Sequence, residues 1–339
     1  MRATVYSKTG GPDVLQLVER PVREPEAGEV RVRVHVSGVN PTDWKARRGD
    51  GPGRPLAFPE VVPNMDGAGS IVAIGDGVDP GRVGERVWLW EAARHRAKGS
   101  AQELVALPAA QAVPLSQGAS FDLGASIGIP ALTAHRCLTV GVDAPAALGP
   151  HALEGRIVLV AGGAGAVGHA AIELAVWSGA TVITTVSTPE KEALAAAAGA
   201  HHVVNYRTQN TEQAVRAAAP DGVDLIVEVA PVSNAALNEA VIARNGTVAI
   251  YASERDDLTI AIDPAMTTNT RFQIVLVYTM PATAKEQAIR DVQDAVAAGA
   301  LRVGAEAGLP LHRFPLDRSA DAHAAVEANV VGKVLIDVE

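Results

Sequence analysis

Four glycines fall within seven residues, Gly162, Gly163, Gly165 and Gly168, inside the apolar stretch RIVLVAGGAGAVGHAAIELAVWSGA (156–180). The last three spell G-x-G-x-x-G, with Ala164, Ala166 and Val167 in the gaps. Residues without a Cβ allow a tight turn, close approach of backbone to a pyrophosphate, and close packing of a helix on a strand. The free N–H groups at the start of that helix then face the phosphates. The pattern alone is weak, since a glycine-rich packing turn would produce it too. Here a strand-like RIVLVAG precedes it and a helical AVGHAAIELAVWSG follows, within a strand–helix–strand unit of about 30 residues. The stretch is long enough for a membrane span, but its glycines, His169 and Glu173 interrupt it. The chemistry it points to is dinucleotide binding.

The second strand decides which dinucleotide. Roughly twenty residues past such a motif, an acidic side chain bonds the ribose 2′-hydroxyl of NAD. This chain has TTVSTPEK, so Ser187 and Thr188 occupy the corner and Lys191 lies one turn into the next helix. Hydroxyls and an ammonium suit a 2′-phosphate, whereas a carboxylate repels it. Glu190 lies past Pro189 and is expected to face solvent. The reading is NADPH, with a solvated helix face as the competing account of Lys191.

These groups need a frame. Up to about residue 125 the pattern is β-rich: EVRVRVHVSGV (29–39) alternates with period two, and GSIVAIG and GERVWLW are further short strands between Pro- and Gly-rich turns. Such spacing suggests a small barrel or sandwich. From about Ala125 strands alternate with helices: TVITTVS, PEKEALAAAAG, HHVVNY, TEQAVRAAA, GVDLIVEVA, SNAALNEAVIAR ending at Gly246, then GTVAIYAS. Continuous Val/Ile runs between helices indicate a parallel sheet covered on both faces, a doubly wound α/β domain. RFQIVLVYTM (271–280) reads as a last strand, followed by an Ala-rich helix near 283–299 and a terminal GKVLIDV. A chain of this kind returns to complete its first domain. The expected division is therefore 1–124 with 281–339, and 125–280.

Composition agrees. The 339 residues are 48% hydrophobic and 20% charged, with a net charge of −9, which disfavours nucleic-acid and anionic-membrane surfaces. A single cysteine, Cys137, excludes an intrachain disulfide and a zinc site of several thiolates. The opening MRATVYSKTGGPD lacks the apolar core of a signal peptide, so a cytoplasmic location is expected.

Taken together, MRATVYSKTGGPDVLQLVERPVREP, VSGVNPTDWKARRGD, NMDGAGSIVAIGDGV, GERVW, GIPALTAHRCL, the glycine loop, NYR and GKVLIDV resemble the medium-chain dehydrogenase/reductase superfamily. Within it they are most similar to the zinc-independent, zeta-crystallin-like quinone oxidoreductases. The resemblance implies a GroES-like catalytic domain, a Rossmann domain, a cofactor cleft between them, and homodimers joined through 271–280. Zinc-dependent relatives carry a cysteine in G-V-C-H-T-D where this chain has GVNPTD, with Asn40 and Pro41. Their G-H-E appears here as NMD, with Met65 replacing the histidine. No zinc mechanism and no metal site are expected.

The resemblance puts Asn40 and Thr133 beside the nicotinamide, with Asp43 as a supporting or proton-relay group. Turn chemistry at Asn40-Pro41 and a helix cap or ion pair at Asp43 are the plain alternatives. It puts Tyr206 and Arg207 at the adenosine end, with a surface role the alternative for Arg207. The loop after DLIVEVA (Pro231 to Asn234, with Ala230 before it) and the segment Ile274 to Val277, with Val275, pass near the nicotinamide, and Asn329 and Lys333 belong to a region that closes over the cofactor. WLWEAARHRAKGSAQE (88–103) is the expected mouth of an acceptor pocket. Trp88, Trp90 and His95 would stack on a planar acceptor and Trp44 would line the same pocket, although Trp88 and Trp90 at strand spacing suit a core equally. The leading expectation is NADPH-dependent quinone reduction, with the protein supplying orientation and a dry cavity. Its rivals are reduction of an activated C=C bond on the same scaffold and a non-enzymatic NADPH- or RNA-binding role.

Overall fold

The alternation in EVRVRVHVSGV produces the strand Glu29–Val39, which turns Val30, Val32, Val34 and Val36 into the core of its unit. The computed structural model describes residues 1–49, 56–141 and 143–339; Asp50, the last residue of VSGVNPTDWKARRGD, lies outside them. Glu29–Val39 is the hub of a seven-stranded sheet, pairing antiparallel with Asp66–Ile74, Leu104–Pro108 and the C-terminal strand Lys333–Asp337. The last strand thus returns to the first unit, where Val334 and Ile336 join the same apolar cluster as Val32 and Val34.

The chain forms two compact units, Met1–Ile129 with Leu311–Glu339, and Pro130–Pro310. The expected boundaries at 124/125 and 280/281 differ from these. The helix Ala282–Ala297 packs in the second unit because its buried Asp291 accepts a hydrogen bond from Leu148 N–H at 2.7 Å and pairs with His135 Nε2 at 2.7 Å. Its Ala-rich composition carried no sign of that anchor.

The second unit holds six parallel strands in the order His202–Asn205, Thr181–Val186, Ile157–Ala161, Val223–Glu228, Ile242–Ile250, Arg271–Ile274. The order reverses direction between Ile157–Ala161 and Val223–Glu228, where open α/β sheets bind ligands at their carboxyl ends. Two readings change. The helix in SNAALNEAVIAR stops at Val241, and the strand already starts at Ile242. Between the partners of Val223 and Leu225 the register jumps from Ile242 to Thr247, with Asn245 at φ 62°, so the sheet absorbs those residues as an irregularity. The strand in RFQIVLVYTM covers only Arg271–Ile274, because its neighbour ends at Ile250, opposite Ile274; a 3₁₀ turn at Val277–Thr279 follows. Among the described residues no helix is long and apolar enough to cross a membrane.

Candidate functional site

The glycine loop leaves the strand Ile157–Ala161 at this reversal. A Cβ on Gly163 would lie 2.2 Å from Thr184 Oγ1, and one on Gly168 2.4 Å from the Gly162 carbonyl oxygen. The fold itself therefore demands glycine at both. Gly165 differs: its nearest contact would be 3.5 Å away, and the residue is exposed. No packing contact within the described residues needs Gly165 bare, so the space beside it is free for an approaching group. Gly165 caps the helix Ala166–Trp177 without a side-chain hydrogen bond. Ala166 and Val167 in its first turn are half-buried and Ala164 is buried, which leaves helix-start N–H groups for an anion. The loop fits a dinucleotide.

Ser187, Thr188 and Lys191 come together at the end of the strand Thr181–Val186. Thr188 caps the helix Pro189–Ala197, its Oγ1 accepting Lys191 N–H at 3.3 Å, and Lys191 Nζ donates to Ser187 Oγ at 3.2 Å. Glu190 is exposed, as expected. Tyr206 N–H donates to the Val186 carbonyl at 3.0 Å, which brings exposed Tyr206 and Arg207 to the same corner. Neither Lys191 nor Arg207 has an ion-pair partner among the described residues. Sequence reasoning missed Asn205, a buried side chain that accepts Arg207 N–H at 3.0 Å and donates to Glu192. Its place beside the flagged NYR residues was the available signal.

In the first unit a buried polar cluster forms around Asn40. Asn40 precedes Pro41 at the start of the helix Pro41–Arg48, and Asp43 Oδ2 reaches back to Asn40 N–H at 2.7 Å. The cap reading of Asp43 is thus realised, and its Oδ1 also accepts Met65 N–H at 3.2 Å. The Asn40 amide points elsewhere: Nδ2 donates to Asp66 Oδ2 at 2.7 Å, and Oδ1 accepts from Lys333 Nζ at 2.7 Å. Lys333 Nζ stands 3.6 Å from Asp66 Oδ2. Asp66 Oδ1 also accepts Ile129 N–H at 2.9 Å, from the residue just before the helical Pro130. All four side chains are 3% exposed or less.

Burial pushes the Asp43 carboxyl up to about 8, against the hydrogen bonds from Asn40 and Met65. Burial raises Asp66 too, opposed by Lys333 and Asn40, and lowers Lys333, opposed by both carboxylates. Burial thus works against charge on both carboxyls, and the Lys333 ammonium offsets part of that cost. Asp66 went unassigned in the sequence, although the acid of NMD beside Met65 was there to read. Asn329, by contrast, is an exposed residue at φ 58° just past the helix Ser319–Glu327, a position Asn fills well.

The remaining candidates spread out. Trp44 is half-buried, with Lys45 Nζ and the Arg48 guanidinium 5.8 and 5.9 Å from its ring centre. Trp88 is fully buried, so the core reading holds for it. Trp90 is half-buried and its Nε1 donates to the Ala110 carbonyl at 3.3 Å, while His95 is exposed at φ 56°. Thr133 is buried on the helix Phe121–Leu138, in the second unit. Val275 is buried, its N–H on the Ile250 carbonyl at 2.7 Å. Ala230 N–H donates to Glu228 Oε1 at 2.6 Å. Glu228, fully buried at a strand end and also unforeseen, takes further hydrogen bonds from the amides of Asn234 and Asn238.

Comparison with known proteins follows the same division. Residues 26–117 match the family model of the alcohol dehydrogenase GroES-like domain, and 166–298 that of the zinc-binding dehydrogenases. A quinone oxidoreductase of Rattus norvegicus is 30% identical over 99% of this chain and 97% of its own. A structure described as an NAD-dependent alcohol dehydrogenase superposes with a TM-score of 0.84 at 26% identity, over 100% of both chains. A mycobacterial protein solved in complex with NADPH gives 0.81 at 27% identity, over 99% of each.

Proposed function

Because the chain belongs to the quinone oxidoreductase family of medium-chain dehydrogenases/reductases, we propose that it moves hydride from NADPH to a quinone-type acceptor without zinc. The observation that carries this reading is the Asn40–Lys333–Asp66 cluster. Where the resemblance puts the metal of zinc-dependent relatives, a buried ammonium bonds the Asn40 amide and stands 3.6 Å from the Asp66 carboxylate. A divalent cation on Asp66 would have to displace Lys333 against like-charge repulsion. Among the described residues no group of three or more His, Cys, Asp or Glu side chains could hold a metal ion.

NADPH, when bound, supplies the hydride, and the protein supplies orientation and exclusion of water. The loop Gly163–Gly168 holds the pyrophosphate; Ser187, Thr188, Lys191, Tyr206 and Arg207 hold the adenosine end and its 2′-phosphate. The relatives include a protein named for NAD and one bound to NADPH; absence of a carboxylate at 187 and 188 favours the phosphorylated coenzyme. In the first unit Asn40 is assigned to orienting the acceptor or the coenzyme, Lys333 acts through Asn40, and Asn329 ends the helix Ser319–Glu327; in the second unit Thr133, Ala230 and Val275 are assigned to the nicotinamide. Asp43 Oδ2 fastens Asn40 N–H. Trp44, Trp90 and His95 offer the acceptor ring faces, and solvent delivers the acceptor's proton. We assign the homodimer contact to the edge strand Arg271–Ile274. A cytoplasmic location suits a chain whose only thiol is buried.

The test is NADPH oxidation after exhaustive dialysis against a chelator, with phenanthrenequinone and an α,β-unsaturated ketone as rival acceptors. Quinone turnover is expected to survive dialysis and to exceed enone turnover at least tenfold. Activity lost on dialysis and restored by zinc overturns the metal-free reading; a large preference for the enone replaces quinone reduction by C=C reduction.

A further inference from the structure

We infer that Asn205 sets the coenzyme preference of this protein by holding the Glu192 carboxylate away from the ribose 2′-position; this rests on the proposed seat of the 2′-phosphate at Ser187, Lys191 and Arg207. Dinucleotide sites that take NAD carry an acid at this corner, which bonds the ribose 2′-hydroxyl. The same carboxylate repels a 2′-phosphate. Positions 187 and 188 hold hydroxyls, yet the corner is not without an acid. Glu192 follows Lys191 in the first turn of the helix Pro189–Ala197 and is half-buried. Its Oε1 accepts from Asn205 Nδ2 at 2.5 Å.

Asn205 is placed to hold it. The residue ends the strand His202–Asn205 and is the register partner of Val186, which immediately precedes Ser187. Its side chain is 2% exposed, and its partners dictate which way the amide lies. The Arg207 N–H only donates and takes Oδ1 at 3.0 Å, whereas a carboxylate only accepts and takes Nδ2. The Asn205 N–H is itself fastened by Gln209 Oε1 at 2.7 Å. One amide thus joins the turn that carries Tyr206 and Arg207 to the helix that carries Lys191. Lys191 Nζ bonds Ser187 Oγ at 3.2 Å and makes no ion pair with its neighbour Glu192 among the described residues. The corner's cations are therefore left for a phosphate. A half-buried carboxylate without a donor is costly, so Glu192, once released, turns to a corner cation or to a ribose hydroxyl. Either move disfavours a 2′-phosphate and spares a 2′-hydroxyl.

The test is fluorescence titration of NADPH and NADH into the parent, Asn205→Ser, and Asn205→Ser combined with Glu192→Gln. Serine keeps an oxygen for the Arg207 N–H and drops the amide that holds Glu192. Asn205→Ser is expected to lower the preference for NADPH over NADH about tenfold, the size of one hydrogen bond to a charged group. Adding Glu192→Gln is expected to return the ratio at least to its parental value, which a merely structural loss at Asn205 would not allow. If the serine variant fails to fold, Asn205→Asp sets a second carboxylate against Glu192. Combined with Glu192→Gln, that variant exchanges amide and carboxylate and restores the bond, and the same fall and recovery are expected. A parent that holds NADPH no more tightly than NADH overturns both this inference and the seat of the 2′-phosphate. A parental preference that survives the loss of the Asn205 amide, or that Glu192→Gln does not restore, overturns the inference alone.

Discussion

At Gly165 the backbone sits at φ −85°, ψ 161°, a conformation open to any residue, with 3.5 Å of clearance for a Cβ. Gly165→Val is therefore expected to keep the parental melting temperature while weakening NADPH and NADH at least 100-fold in a fluorescence titration. Retained binding of either nucleotide would remove this loop from the coenzyme site. Lys191 makes a narrower prediction. With its ammonium on Ser187 Oγ and no ion pair among the described residues, Lys191→Ala should cost NADPH tenfold or more, as for a charge-assisted hydrogen bond. NADH should change less than about twofold, and equal losses would return Lys191 to a solvated helix face. Both residues were legible in the sequence because loop and corner are local. Asn40 was legible too, but its partners were not: Lys333 lies 293 positions away and Asp66 26. No spacing rule couples such distances, and only the sheet that sets Lys333–Asp337 beside Glu29–Val39 does.

Among the elements, helix starts and strand cores followed their local signals, and ends were decided by neighbours. Thr188 and Pro189 begin a helix where the sequence says they should, and Gly199 at φ 100° follows its end. The strand after Thr270 stops early because no ladder is left to join, which periodicity within RFQIVLVYTM cannot report. The helix Ala282–Ala297 owes its place to Asp291. Burial works to raise this carboxyl, but hydrogen bonds from His135, Leu148 N–H and Gln287 outweigh it and hold the group below the usual carboxylate range. A carboxyl depressed in the fold contributes stability that is present above its unfolded value near about 4 and is lost as pH falls through the folded value. Asp291→Asn should therefore melt earlier than the parent at neutral pH, by about 1–3 kcal/mol for the unpaired partners left behind. The gap should narrow steadily below about pH 4. A gap that stays constant down to pH 2 would remove the charge of Asp291 from the account.

For the whole molecule, the edge strand Arg271–Ile274 matters most. Ile262, Met266, Ile274 and Leu276 are exposed around it, Met266 at 72%, next to unpaired strand edge. Such an edge invites pairing, and a second copy would cover it. Ile274→Lys is expected to turn a dimer into a monomer in sedimentation velocity at micromolar concentration, with each unit still folded by circular dichroism. A variant that remains dimeric moves the contact elsewhere. What the order of residues by itself determined was everything carried by short-range physics: the glycine turn, the hydroxyl–ammonium corner, the caps, and the alternation that separates a β-rich part from a doubly wound one. Tertiary structure alone decided that Lys333 pairs with Asp66 while both bond Asn40, that Ala282–Ala297 belongs with the second unit, and that Asn238 turns its amide nitrogen to Glu228. Each of these is a balance between buried charges or hydrogen-bonding groups far apart in the chain, and burial, which sets its strength, exists only once the chain has folded.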